Sequence, residues 1–344
     1  MAFFRKKKQG QVILTQPISI HWDVEDPFTF VSHHEDDYPK GNAQQAPPLS
    51  EIGGRNLGRD YEKRMGFRMY HGKVVPGFPA HAHWGYETVT VADRGYIDHF
   101  DSKGNQGRYG FGDVQWLTAG GEYHHCEMYP LASSEERNPN DITQIMINLP
   151  LERKNTEPVF KMMWSEEIPI VQSDGYTVKV LAGSFGGKNA ISPNELSWAA
   201  DPEHHVSILK ITAEPGAEIT LPAISDTMGR NIYMINGSKV SFGEFEFQSG
   251  SRFKVPGGED VTFVNGSEKA VFWVLEGEPI SEKQTSFGPI ILKNDKEVRD
   301  ALAEIRKNEY SQWPWDVVDK AQPKGTGRFV RYADGKEECP SEHS

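Results

Sequence analysis

The amino-acid sequence predicts an all-β protein of two β-barrel domains followed by one helix. Short segments of alternating apolar and polar residues, separated by turn residues, recur through 65–150 and again through 176–276. A helical period of apolar residues appears only after Pro289. The chain has 344 residues, of which 37% are hydrophobic, so it is long enough to form two domains with packed cores.

The first barrel is predicted from strand patterns that begin near Gln11. Strands at 11–15 and 26–32 come before a polar segment, 37–63, which we expect to be either disordered or a lid over a site. The later strands of this barrel lie between turns rich in Gly and Asp. They are predicted at 65–71, 87–92, 96–100, within 110–121, and at 144–149. A charged crossover then follows at 150–158.

The second barrel is predicted from short strands at the same turn spacing. They are expected at 176–182, 205–212, 231–235, 239–247, 252–255, 261–265 and 270–276. This half contains no His-x-His pair. Its adjacent histidines, His204 and His205, would face opposite sides of a strand and could not bind one ion together. We therefore expect a barrel without a metal site.

The segment after Pro289 changes to a helical period. Asn294 and Glu297 form a plausible capping pair for this helix. One apolar stripe follows, made of Val298, Ala301, Leu302 and Ile305. The aromatic sequence Trp313-Pro-Trp315 is expected to dock on the body of the protein. The expected division is a disordered basic terminus 1–10, an amino-terminal domain 11–155, a carboxy-terminal domain 156–290, a helix with aromatic segment 291–320, and a frayed polar tail 321–344.

Two short motifs predict a metal site in the first barrel. They are His81-Ala-His83 and His125-Cys126-Glu127. Residues two apart on a strand share a face, so each motif presents two ligands, and adjacent strands could close them around one ion. Three imidazoles and a carboxylate suit iron, copper, nickel, manganese or zinc better than calcium or magnesium. An isolated His-x-His is more often a surface pair, but the second motif favours the metal interpretation. Cys126 would face the barrel wall and is not expected to be a ligand.

Composition narrows the classes of function. Lys and Arg number 37 against 49 Asp and Glu, and the net charge of −12 disfavours direct nucleic-acid binding. The basic start lacks the apolar core of a secretory signal, and no apolar run of membrane-spanning length occurs. We therefore expect a cytoplasmic protein that does not span a membrane. Cys126 and Cys339 are the two cysteines, so no disulfide framework is expected.

The residues around the metal motifs resemble the pirin family of the cupin superfamily. The resemblance is carried by Phe78-Pro-Ala-His-Ala-His-Trp-Gly-Tyr-Glu-Thr-Val89, Gly112-Asp-Val-Gln-Trp-Leu-Thr-Ala-Gly120, His125-Cys-Glu-Met128 and Phe287-Gly-Pro-Ile-Ile-Leu-Lys-Asn294. It implies a bicupin, with two jelly-roll barrels and a C-terminal helix that packs across the other lobe. It also implies that His81, His83, His125 and Glu127 bind an iron-type centre. Fe(II) is expected first, with nickel, cobalt, manganese, copper and zinc as alternatives.

The resemblance implies two kinds of function. Some pirins are associated with quercetin 2,3-dioxygenase activity, which would make this chain a metal-dependent enzyme for a flavonol or related enediol, with Glu127 as catalytic base. The alternative is a non-catalytic iron-binding transcriptional co-regulator or redox sensor with a protein partner. A sugar-handling or isomerase cupin is less favoured, because the later histidine here is coupled to Glu127.

Several other residues near the motifs have expected roles. Trp84 stands where pirins usually carry Arg, which changes the site mouth and leaves the ligand positions intact. Glu87 is expected to orient a ligand imidazole rather than to bind the metal, although both roles are open. The side chains of Phe78, Trp84, Tyr86 and Met128 either line a planar substrate pocket or belong to the barrel core.

Overall fold

A computed structural model describes residues 11–308 and 312–341 of the chain. These residues are mostly β-strands with two α-helices, as predicted. The terminus 1–10, which we expected to be disordered, lies outside the described residues. No helix in the described ranges is long and apolar enough to cross a membrane.

The elements follow one another in a largely antiparallel order. The first group is β1 (Leu14–Pro17), β2 (His21–Trp22), β3 (Phe28–Tyr38), α1 (Leu49–Ile52), β4 (Gly77–His83), β5 (Tyr86–Arg94), β6 (Tyr96–Asp101), β7 (Gln106–Gly110), β8 (Asp113–Thr118), β9 (Tyr123–Met128), β10 (Asn138–Asn148) and β11 (Val159–Met163). The second group is β12 (Ile170–Ser173), β13 (Tyr176–Ala182), β14 (Ser184–Phe185), β15 (Lys188–Asn189), β16 (Ser207–Ala213), β17 (Glu218–Leu221), β18 (Gly229–Met234), β19 (Lys239–Phe242), β20 (Phe245–Gln248), β21 (Ser251–Val255), β22 (Val261–Asn265) and β23 (Ala270–Gly277). The third group is β24 (Thr285–Phe287), β25 (Ile290–Leu292), α2 (Asp295–Asn308), β26 (Phe329–Arg331) and β27 (Glu337–Glu338). Short 3₁₀ helices occur at Leu151–Arg153, Trp198–Ala200 and Pro202–His204.

The chain forms two compact units, and each unit combines segments that are distant in sequence. One unit holds the chain up to Val31 and from Glu167 to Ser281, whereas the other holds Ser32 to Glu166 and the chain from Glu282 onward. The expected domains, 11–155 and 156–290, were contiguous. They differ from these units because β1 pairs with β21, from Leu14 opposite Lys254 to Pro17 opposite Ser251, and so completes the second barrel.

The unit that contains Glu167 to Ser281 is a barrel of two antiparallel sheets. Their strand orders are β1-β21-β18-β23-β16-β13-β12 and β17-β22-β19-β20. Buried side chains from both sheets, among them Ile211, Ile232, Phe263 and Phe272, form one apolar core. Alternation along these strands places the core residues on one face of each sheet.

His204 and His205 do not lie on a strand as expected. They occur at a 3₁₀ turn before β16, and His205 has a left-handed backbone conformation with φ of 49°. The His204 ring stacks on Trp198 at 3.3 Å between centroids. Nδ1 of His205 lies 3.1 Å from a carboxylate oxygen of Glu278. The two rings therefore have separate partners.

The other unit is the barrel that carries the metal motifs. One sheet contains, in order, β11-β8-β5-β10-β3, and the other has the order β27-β26-β7-β6-β9-β4. Buried residues of both sheets, including Tyr109, Leu117, Tyr123 and Ile142, share one core. Strands β4 and β9 are neighbours in the second sheet, so the two motifs come side by side.

The polar segment 37–63 has an ordered structure, so the expectation of disorder is wrong. Helix α1 lies within it, and Ile52 packs with Tyr38, Phe67 and Leu131. The strand predicted at 65–71 is replaced by isolated bridges, since Met65 and Tyr70 have positive φ angles of 52° and 55°. Positive φ interrupts the extended backbone that a strand requires.

Helix α2 confirms its predicted cap and stripe. The amide of Glu297 donates to Asn294 Oδ1 at 3.0 Å, and Asn294 Nδ2 donates to the Glu297 carboxylate at 3.3 Å. The predicted stripe packs on Ile290 and Leu292, together with Trp84. The helix therefore covers part of the barrel that holds the metal motifs.

The polar tail is not frayed, and that prediction is wrong for the described residues. Strand β26 pairs with β7, from Phe329 opposite Arg108 to Arg331 opposite Gln106. Val330 is buried in the barrel core. A strand of three residues is too short to show alternation, so its partner strand rather than its own pattern determines its structure. The predicted docking of the aromatic segment is confirmed, since Trp315 Nε1 donates to the carbonyl of Asp101 at 2.8 Å.

Candidate metal centre

Three histidines converge on one point between β4 and β9. The strands pair antiparallel with His81 opposite His125, and a register shift lies between Phe78 and His81. One ring nitrogen from each of His81, His83 and His125 lies within 4.8 Å of the others. Nε2 of His83 is 2.7 Å from Nε2 of His125. The structure thus brings together three of the four predicted ligands in a tight group.

Hydrogen bonds on the outer side of the rings fix which nitrogens face inward. Nδ1 of His81 donates to the carbonyl of Pro79 at 2.9 Å. Nδ1 of His83 is hydrogen-bonded to the Tyr86 hydroxyl. With the protons on Nδ1, the Nε2 atoms keep their lone pairs for a ligand. Nδ1 of His125 is buried and has no hydrogen-bond partner among the described residues.

Burial keeps all three imidazoles neutral. It lowers the pKa of His81 to about 4 and holds the pKa values of His83 and His125 well below their usual range. Neutral rings present lone pairs rather than protons at pH 7. Facing nitrogens 2.7 Å apart can share at most one proton, so a bound transition-metal cation suits this donor set. The residues present therefore fit a metal ion.

Glu127 lies beside the three histidines but outside the tight group. Its Oε2 is 3.6 Å from Nε2 of His125. Gln144 Nε2 donates to both carboxylate oxygens, at 3.2 and 3.0 Å, and Thr90 Oγ1 donates to Oε1 at 3.4 Å. Burial raises the pKa of Glu127 above its ordinary value. A side chain so placed can approach a metal and can also accept a proton.

Sequence reasoning missed Gln144 and Thr90. Each lies on a strand of the opposite sheet, with Gln144 paired to Thr90 across β10 and β5. The available signal was a polar residue among the apolar residues of a predicted strand. Such a residue must find a buried partner, but the sequence does not show that the partner is Glu127.

Glu87 is held away from the histidine group by partners in its own sheet. Its Oε2 accepts hydrogen bonds from Trp116 Nε1 at 2.9 Å and from Thr118 Oγ1 at 2.7 Å. Among the described residues, the tight ligand group does not include this carboxylate. Its expected role in orienting a ligand imidazole stays a prediction.

The four residues proposed to line a planar pocket separate into two pairs. The Phe78 ring lies 6.1 Å from the His81 ring and stacks on Tyr70, and Tyr86 contacts His83. Trp84 instead packs with the apolar stripe of α2. Met128 packs with Phe100 and Cys126 on the other face of β9.

The orientation predicted for Cys126 is confirmed. The thiol is buried in the wall, whereas Cys339 is exposed. Burial raises the pKa of the Cys126 thiol, so it is a poor thiolate ligand.

Comparison with known families agrees with the geometry. The pirin family model matches residues 15–147, and the model of the pirin C-terminal cupin domain matches 208–311. Pirin-1 of Arabidopsis thaliana is 34% identical over 228 residues, covering 64% of this chain and 74% of that protein. Human pirin is 32% identical over 263 residues, covering 73% of this chain and 85% of human pirin.

Two further proteins carry names that refer to an activity. A Thermoplasma acidophilum protein, whose name proposes quercetin 2,3-dioxygenase activity, is 28% identical over 68% of this chain and 92% of its own length. The crystal structure of quercetin 2,3-dioxygenase from Acinetobacter baumannii has a TM-score of 0.68 at 18% identity, covering 88% of this chain and 98% of that chain. At that identity the likeness shows the fold alone. Two barrels, two matching family models and relatives that align along most of their length lead to one assignment, and the chain belongs to the pirin family of bicupins.

Proposed function

We propose that the protein is a metal-dependent dioxygenase that acts on a flavonol or a related enediol. The observation that carries this proposal is the group of three neutral imidazoles beside a buried carboxylate of raised pKa. Three histidines and Glu127 leave coordination positions free on a metal that prefers six ligands, as an oxygenase requires and a closed structural site does not. The names of the two dioxygenase-like proteins support the same reaction class.

The metal would be held by His81, His83 and His125, with Glu127 as the fourth ligand. Fe(II) is the ion we expect first, and nickel, cobalt, manganese, copper and zinc are alternatives. When bound, such an ion supplies Lewis acidity toward the substrate oxygen and, for a redox-active metal, electron transfer to dioxygen.

The residues of the chain supply proton transfer and positioning. A flavonol must lose its enol proton before it reacts, and Glu127 is the nearest group able to accept that proton. Burial raises the pKa of this carboxyl, which makes it a stronger base. Gln144 and Thr90 hold the carboxylate in place through their hydrogen bonds. The ring of Phe78, near His81, offers an aromatic face to a planar substrate.

Oxygen consumption by metal-loaded protein tests the proposal. The protein is loaded anaerobically with iron, nickel, cobalt or manganese, its metal content is verified, and quercetin is added at an oxygen electrode. We expect oxygen uptake in step with quercetin loss, abolished in His125→Ala and retained in His204→Ala. If loaded wild-type protein consumes no oxygen with any flavonol or enediol, the dioxygenase proposal fails, and a metal-binding regulator becomes the better account.

A further inference from the structure

A cavity in the same compact unit lies apart from the three histidines. Its volume is about 520 Å³, within the range of small-molecule sites. Its lining includes four aromatic residues, Tyr38, Tyr96, Phe111 and Tyr129, and none of the predicted metal ligands. The apolar wall continues through Leu131 and Ala132. The volume and the rings suit a molecule of one or two fused aromatic rings.

Phe111 is an unusual residue at the rim of this cavity. It lies between Gly110 and Gly112 with a positive φ of 54°, a conformation that strains a bulky side chain. Its ring is 55% exposed and meets Tyr96 edge-on at 4.8 Å between centroids. A glycine at this position would remove both the strain and the exposed apolar surface. The ring is therefore placed at a cost to stability, which points to a contact beyond the folded chain.

Two buried polar atoms of the cavity wall have no hydrogen-bond partner among the described residues. They are the hydroxyl oxygen of Tyr38 and Oδ1 of Asn140. Tyr38 is fully buried and Asn140 is 5% exposed. Unpartnered buried polar groups are rare in native proteins because they lose water without replacement. An amide oxygen can only accept, so its complement is a ligand that donates a hydrogen bond.

The charged groups at the rim select against an anion. Arg94 already pairs with Glu35 at 3.0 Å and lies 3.4 Å from Asp141. Arg137 pairs with Asp37 at 2.5 Å. Both guanidinium groups of the lining thus have carboxylate partners. A ligand with its own negative charge would have to displace them.

We infer that this cavity is a second ligand site, which binds a neutral hydroxylated aromatic molecule. The rings of the ligand pack against Phe111 and Tyr96, and its hydroxyl donates toward Asn140 Oδ1. The site requires neither the metal nor the proposed oxygenase reaction. It would bind such a molecule whether or not the histidines hold an ion.

Binding of 2-naphthol, followed by calorimetry, tests this site. The wild-type protein should bind one molecule, and Ala132→Trp, which fills the cavity, should weaken binding at least about tenfold. Phe111→Ala should weaken it in the same direction, and it lies in a surface turn, so it decides the matter if Ala132→Trp does not fold. Phe287→Ala is the matched control, because Phe287 is 62% exposed and does not line the cavity. Equal affinity in wild type and in the folded cavity variants overturns the inference.

Two further comparisons separate this site from the metal centre and define its chemistry. His125→Ala and chelated protein should bind 2-naphthol as wild type does, and loss of binding in either would place the ligand at the metal centre and overturn the inference. Naphthalene and 2-naphthoate should both bind more weakly than 2-naphthol. The preference for 2-naphthol over naphthalene should disappear in Asn140→Leu, and its persistence there would contradict the role of Asn140.

Discussion

At the scale of single residues, burial determines the chemistry of the candidate metal centre. The same desolvation lowers the pKa of the histidines and raises the pKa of Glu127, because the neutral form is favoured in both cases. The result is a group of lone-pair donors next to a carboxyl that readily takes a proton. Exposed residues of the same types would offer neither property at pH 7.

Replacing Glu127 with Gln tests the role of the base. The amide keeps the size and one oxygen donor but cannot accept the substrate proton. Metal should remain at reduced affinity, while turnover of quercetin should fall by roughly a hundredfold or more. The measurement is steady-state oxygen uptake at matched metal occupancy, with Glu122→Gln as the control. Full activity in Glu127→Gln would remove the base assignment and leave the metal site intact.

The two cysteines should differ in their reaction with thiol reagents. Cys126 is buried with a raised pKa, whereas Cys339 is exposed, so the native protein should release one thiol equivalent quickly and the second on unfolding. Labelling with a chromogenic disulfide measures both rates, and Cys339→Ser isolates the slow one. Rapid labelling of Cys126 in that variant would show that the register of β9 is wrong.

The sequence predicts part of the site because the relevant period is local. Residues two apart on one strand share a face, so the pairing of His81 with His83 and the outward turn of Cys126 follow from spacing. Contacts across sheets do not follow in this way. The hydrogen bonds of Gln144 to Glu127 join strands that the sequence does not align. Trp84 packs on α2 for the same kind of reason.

At the scale of elements, strands with clear alternation or turn residues were predictable and short edge strands were not. β5, β6, β8 and β22 lie close to their predicted positions, and the cap of α2 was visible in its Asn-x-x-Glu spacing. β26 and β27 are two or three residues long and exist because β7 offers a free edge. Their sequence is polar enough to suggest a frayed tail.

Removal of the tail after Lys320 should therefore destabilise the barrel. Gln322 donates its amide to Asp98 at 2.8 Å, and Arg108 donates to the carbonyls of Gln322 and Thr326. Without these partners, buried polar groups lose hydrogen bonds at about 1–3 kcal/mol each. The expected fall in Tm, measured by calorimetry, is roughly 10 °C or more.

Lys324→Ala is the control for the truncation, since Lys324 is exposed and its loss should leave Tm nearly unchanged. A truncated protein as stable as the full chain would show that β26 and the buried contacts of Gln322 add little to the fold.

At the scale of the whole molecule, the two barrels differ in what their interiors contain. The unit with Glu167 to Ser281 is closed around an apolar core, whereas the other unit places histidines and carboxylates between its sheets. The pattern of His pairs predicted this difference. The exchange of terminal segments between units was not predicted, because pairing of β1 with β21 joins residues more than two hundred positions apart.

The buried histidines should make the stability of metal-free protein depend on pH. Burial holds the pKa of His83 well below its usual range in the folded state, whereas the unfolded chain takes up the proton near pH 6.5. Stability is therefore lost as the pH falls below 6.5, by up to about 2 kcal/mol at pH 5 for one such group. Calorimetry of chelated protein should show a larger fall in Tm between pH 7.5 and pH 5.0 for wild type than for His83→Phe. Identical falls in the two proteins would contradict a buried neutral imidazole.

The central claim is that His81, His83 and His125 hold one metal ion, and metal stoichiometry tests it most directly. Wild-type protein and single alanine variants of the three histidines are loaded with Fe(II), dialysed and measured by elemental mass spectrometry, with His204→Ala as the control. The account predicts one ion per chain in wild type and in the control, and a large loss in each of the three variants while the β-sheet spectrum by circular dichroism is unchanged. Full stoichiometry in the three variants would contradict it.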